Sequence, residues 1–107
     1  MGILTLNEET ILIALYRLGG RSHGPDLREK IIALTGRAIV YGTLYNSLEY
    51  LIRKGYVLSS KGAPTSTRGG KAKSIYSLTP EGREALLETR RLHKRLWEGL
   101  NKADLQG

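Results

Sequence analysis

The chain has 107 residues, 40% of them hydrophobic and 25% charged, which is enough for one compact core and excludes both a disordered segment and a membrane-embedded protein. It has no cysteine, so disulfides, thiolate metal sites and thiol catalysis are excluded together. Seventeen Lys and Arg against ten Asp and Glu leave a net charge of +7, a balance that suits a polyanionic partner.

At the N-terminus, Met1-Gly2-Ile3-Leu4 has no basic flank and meets Glu8 and Glu9 early, so no signal peptide is expected. Leu6 stands where a myristoylated Gly2 would need Ser or Thr. No apolar run approaches the roughly 20 residues that span a bilayer. The expected location is cytoplasmic.

Thr5 with Glu8 three residues on forms a capping-box signature, and Ile11, Leu12, Leu15 and Leu18 follow at helical spacing until Gly19-Gly20. This predicts a first helix, then a loop over residues 19–23. Gly24-Pro25-Asp26 opens a second helix, because the missing N–H of proline and an acid both suit a first turn. Leu27, Ile31, Ile32 and Leu34 give it an apolar face, and Gly36 stops it.

After Ile39-Val40, a third helix is expected with Leu44, Leu48, Leu51 and Ile52 on one side. Steps of about 100° put Thr43, Asn46, Tyr50 and Arg53 on the other. Gly55 ends it. Residues 56–60 and 74–78 have the β-branched and aromatic content of strands, and residues 61–73 between them are rich in Gly, Ser, Thr and basic side chains. An antiparallel hairpin with a long flexible tip follows. Thr79-Pro80-Glu81 then caps and opens a last helix. On it Ala85, Leu86, Thr89, Leu92, His93, Leu96, Trp97, Leu100 and Ala103 share one near-heptad face that calls for a partner surface.

The charge is concentrated. Between Glu49 and Glu81 no acid occurs, while Arg53, Lys54, Lys61, Arg68, Lys71 and Lys73 all fall there. A field gathered on one loop and its flanks is the footprint of a nucleic-acid-binding surface. The expected fold is mainly α with a small β-hairpin, a winged helix-turn-helix plus a long C-terminal helix. Thr43 and Asn46 can bond base edges, asparagine being suited to adenine, and Lys61, Arg68, Lys71 and Lys73 can neutralise phosphates.

At these residues the chain resembles the PadR-like family of transcriptional regulators. The resemblance rests on Gly42-Thr43-Leu44-Tyr45, Leu48, Leu51 and Gly55-Tyr56-Val57, then Gly69-Gly70-Lys71 and the run from Ile75 to Gly82, with His23-Gly24-Pro25-Asp26-Leu27 upstream. It implies a homodimeric regulator, commonly a repressor, with residues 1–79 as the DNA-binding domain and residues 80–107 as a dimerisation helix and tail. By that motif Thr43, Tyr45 and Asn46 fall at the start of the recognition helix and Lys71 and Lys73 on the wing. Leu86, Leu92, His93, Leu96, Trp97 and Leu100 would form the dimer interface. The chain departs from the family at His23, where Tyr is usual, and at Ile39-Val40-Tyr41, where a polar cap is common.

Blander readings stand beside these. Tyr45 serves equally as a half-buried packing residue, Tyr50 and Arg53 as a solvated face, and the wing basics as loop solvation. Trp97 is either packed in the core or dimer interface or, as the resemblance implies for family members with an aromatic pocket between protomers, the contact for a small flat aromatic effector. His23 and His93 have no ligand set around them, and the glycines near Lys71 lack phosphate-loop spacing, since Ala72 follows the lysine. No cofactor and no catalytic group is implied. A winged helix also serves as a protein-interaction module, and a basic one would dock on an acidic partner.

Overall fold

In the computed structural model, residues 2–61 and 74–107 are described. Helix α1 spans Leu6–Arg17, and its capping box is complete: the Thr5 hydroxyl accepts from the Glu8 backbone N–H and the Glu8 carboxylate accepts from the Thr5 N–H. Gly19 and Gly20 both take left-handed backbone, with φ of 87° and 91°, and turn the chain into β1, Arg21–His23. Helix α2, Gly24–Thr35, starts on His23 as N-cap with Pro25 in its first turn, and Gly36 closes it with φ 70°.

Helix α3 is Tyr41–Arg53, capped by Val40 without a side-chain hydrogen bond. Gly55, φ 81°, lets the chain turn into β2, Val57–Lys61, which pairs antiparallel with β3, Ser74–Leu78. Strand β1 adds to the other edge of β3, with Ser22 opposite Tyr76, so the sheet has three strands in the order β1-β3-β2. The expected antiparallel pairing is present, between residues 57–61 and 74–78, and among the described residues β1, expected as loop, adds a third strand to it. Arg21-Ser22-His23 has neither alternation nor strand-forming residues; it is extended because the Gly-Gly turn lays it along the open edge of β3.

Helix α4 spans Pro80–Trp97. Its N-cap Thr79 is buried and ties three pieces together: its hydroxyl accepts from the Gly82 N–H at 3.0 Å and donates to the Gly55 carbonyl at 2.7 Å, while its N–H donates to the Tyr56 carbonyl at 3.1 Å. At Gly82 a Cβ would meet the Tyr56 oxygen at 2.5 Å, so only glycine lets α4 lie this close to the turn. The expected long terminal helix is present but stops short of the end of its apolar stripe. It ends at Trp97 because Glu98 is extended and Gly99 has φ 83°, and a separate short helix α5, Lys102–Gln106, follows on an Asn101–Asp104 capping box.

One core unites these elements. Ile11, Leu12 and Leu15 from α1, Leu27 and Ile31 from α2, Leu44, Leu48 and Leu51 from α3, Val57, Tyr76 and Leu78 from the sheet, and Ala85 from α4 are all buried. Each such aliphatic side chain contributes roughly 1.5–3 kcal/mol over its exposed state. Of the apolar positions expected on the first three helices, Leu34 is exposed and Leu18, Ile32 and Ile52 are only half-buried. The N-terminal segment straps across α4, where Thr89 accepts from the Leu4 N–H at 3.0 Å and is itself buried.

Candidate nucleic-acid interface

Burial of Leu44, Leu48 and Leu51 fixes how α3 is rotated on its axis. The face turned directly away from the core then carries Gly42, Asn46, Glu49 and Arg53, all exposed, with Thr43 and Tyr50 along one flank and Tyr41 and Tyr45 along the other. Among the described residues, no other element comes within 4 Å of where a Gly42 Cβ would project, so they leave that end of the helix open. Gly42 and Glu49 were not among the residues expected on this face. Both follow from the same 100° spacing once the buried side is known.

The Tyr41–Tyr45 flank is braced. The Arg28 guanidinium of α2 sits 4.8 Å from the Tyr41 ring centre, Tyr41 stacks on Tyr45 with centroids 5.9 Å apart, and Tyr45 tilts against Tyr76 of β3 at 6.3 Å. The Tyr45 hydroxyl presses on Gly24, where any Cβ would collide with it. Tyr45 is 37% exposed, so it packs between α2, α3 and the sheet and still shows an edge to solvent. Arg28 also donates from Nε to the Ile39 carbonyl, which holds the turn between α2 and α3. Burial foremost, and then the neighbouring Tyr45 and the Glu49 charge, push the Tyr76 phenol above its ordinary value, with only a hydrogen bond to Ser74 opposing them.

The opposite flank meets α1. Thr43 lines a cleft with Leu6, Asn7, Thr10 and Arg37, and Asn7 donates to the Ser47 hydroxyl at 3.3 Å. At the far end Tyr50 is 60% exposed, with Arg53 and Lys54 over its ring at 5.9 and 5.8 Å. Lys54 is committed elsewhere: its ammonium bonds the buried Glu8 carboxylate at 2.7 Å. Burial pushes the Glu8 carboxyl up, but the Lys54 hydrogen bond, the Thr5 N–H and the Lys54 charge outweigh it and hold the group below its ordinary value. Arg28 and Arg37, not singled out in the sequence, add positive charge beside this face. Lys61 is exposed at the end of β2. Arg68, Lys71 and Lys73 lie outside the described residues.

On α4, Leu86 and Leu92 are half-buried, while Leu96, Trp97 and Leu100 are 62%, 55% and 51% exposed. Leu100 lies beyond the end of the helix and does not continue its stripe. His93 is engaged within the chain, its Nε2 3.1 Å from a Glu9 carboxylate oxygen on α1. A groove on this side is lined by the apolar Ile3, Leu92 and Trp97 together with Glu88, Arg91 and Arg95. Among the described residues no three His, Asp or Glu converge as metal ligands, and no helix is long and apolar enough to cross a membrane.

Three helices packed on a small antiparallel sheet, followed by a closing helix, make a winged helix, the fold of many DNA-binding proteins. A winged-helix DNA-binding protein from STIV shares it, with TM-score 0.69 and 22% identity over 87% of this chain and 92% of that one. A transcriptional regulator from Clostridium thermocellum, Cth-833, is similar at TM-score 0.66 and 27% identity, covering 89% of this chain and 92% of its own. The Bacillus subtilis PadR in complex with operator DNA is similar at TM-score 0.65 and 20% identity, over 78% of this chain and 45% of that protein. No curated protein matches the sequence. The transcriptional regulator PadR-like family matches residues 11–88, and the chain belongs to that family of DNA-binding winged-helix regulators, which are not enzymes.

Proposed function

We propose that the protein is a homodimeric, sequence-specific repressor whose α3 enters the major groove and whose wing holds the phosphate backbone. The observation that carries this reading is the outward face of α3, from which Asn46 and Arg53 project exposed and free of the core; Lys61 is likewise exposed at the end of β2. Asn46 and Thr43 read base edges, Tyr50 and Arg53 meet the groove wall, and Tyr45 offers its exposed edge to the backbone. Lys61, with Arg68, Lys71 and Lys73, neutralises phosphates.

Residues 1–79 form the DNA-binding unit in this reading and residues 80–107 the dimerisation unit. The exposed Leu96, Trp97 and Leu100, with Leu86, Leu92 and His93, supply the surface a second copy covers. A stable interface takes about 1,200 Å² or more of buried area, which these side chains and the groove beside Ile3 are suited to begin. The same groove beside Trp97 would take a small flat aromatic effector.

Selection from a random duplex pool tests the function. An enriched sequence should outcompete random DNA by at least about a thousandfold at fixed salt. Enrichment of no sequence would favour docking of the basic surface on an acidic protein instead.

A further inference from the structure

Glu49 is the one acidic residue between Glu29 and Glu81, and it lies on the outward face of α3, one turn on from Asn46. It is exposed and, among the described residues, takes part in none of the ion pairs, which join His23 to Asp26, Lys54 to Glu8 and His93 to Glu9. Arg53, four residues on and in the usual place for a helical ion pair, is turned over the Tyr50 ring instead.

A carboxylate on a DNA-facing helix repels every phosphate it approaches, so it weakens general binding. It accepts hydrogen bonds and cannot donate them. Only two groups on the floor of a major groove donate, cytosine N4 and adenine N6. Adenine N6 stands beside the N7 lone pair, which opposes the second carboxylate oxygen, whereas cytosine N4 has a C–H edge beside it. Residues three apart on a helix are separated by roughly 4.5 Å along its axis, more than the rise of about 3.4 Å between successive bases but less than two such rises. Asn46 and Glu49 are therefore spaced to meet neighbouring base pairs.

We infer that Glu49 determines specificity by selecting cytosine at the base pair next to the one met by Asn46, and that it lowers affinity for all other sequences by repelling their phosphates. This rests on α3 being the recognition helix.

Parallel selections from one random duplex pool, with the full chain as wild type, Glu49→Gln and Glu49→Ala, test it. The wild-type motif should carry a cytosine in each half-site; Glu49→Gln should turn that position toward adenine, and Glu49→Ala should leave it without preference, a loss of about tenfold in discrimination. Both variants should bind random duplex more tightly than wild type, and matching thermal melts should show them equally folded. The same motif from all three proteins, or a wild-type motif without that cytosine, overturns the role of Glu49 and leaves the DNA-binding reading intact. No motif from wild type overturns both.

Discussion

Asn46 and Lys71 perform different tasks in the proposed complex, and single substitutions separate them. Asn46→Ala is expected to cost about 1–3 kcal/mol on the preferred duplex and little on random DNA. Lys71→Ala should weaken both alike and lower the salt slope by about one. Anisotropy titrations across a salt series measure both; equal losses on the two DNAs for Asn46→Ala would make it a positioning residue only. Glu8 makes a separate claim about stability. Its carboxyl is held below the ordinary 4.5, so its contribution is fully present above that pH and is lost as the pH falls through the lowered value. Glu8→Gln should therefore flatten the acid limb of urea stability measured from pH 6 to pH 3, and an unchanged limb would remove Glu8 from the account. The Thr5–Glu8 cap was legible because both partners lie within one turn. The Glu8–Lys54 bond was not, because it joins residues 46 positions apart that only the docking of α3 on α1 brings together.

At the scale of elements, the helix starts and stops were the most readable part. Thr5, Pro25, Gly36, Gly55 and Thr79 each mark a boundary through their own backbone or side-chain chemistry, and each does so in the fold. Strand β1 was hidden because its extension depends on β3, more than 50 residues away, and not on its own three residues. The break after Trp97 had a local sign in Gly99, which the run of apolar residues through Leu100 and Ala103 outweighed. Tyr45 shows why alternatives stay open at one position: its contacts with Gly24, Tyr41 and Tyr76 come from three elements. Helix α4 carries the prediction of this scale. Leu96 is exposed in the single chain, so Leu96→Glu should leave the fold intact while producing monomers and lowering operator affinity. Sedimentation velocity checks it, and a variant that stays dimeric would remove Leu96 from the interface.

For the whole molecule, the net charge of +7 is spread over two regions: the buried Glu8 neutralises Lys54 within the fold, Arg53 and Lys61 lie exposed on α3 and the end of β2, and Arg83, Arg90, Arg91, Lys94 and Arg95 lie exposed on α4 among its own acids. In the proposed complex the basic groups grip any duplex, and a two-fold pair of α3 helices turns grip into choice of site. Hydroxyl-radical footprinting of an enriched duplex tests the central claim most directly. The account predicts two protected patches related by a two-fold axis and about 34 Å apart, one turn of DNA, each flanked by weaker protection where the wing reaches the backbone. A single patch, or even protection without periodicity along the duplex, would contradict it.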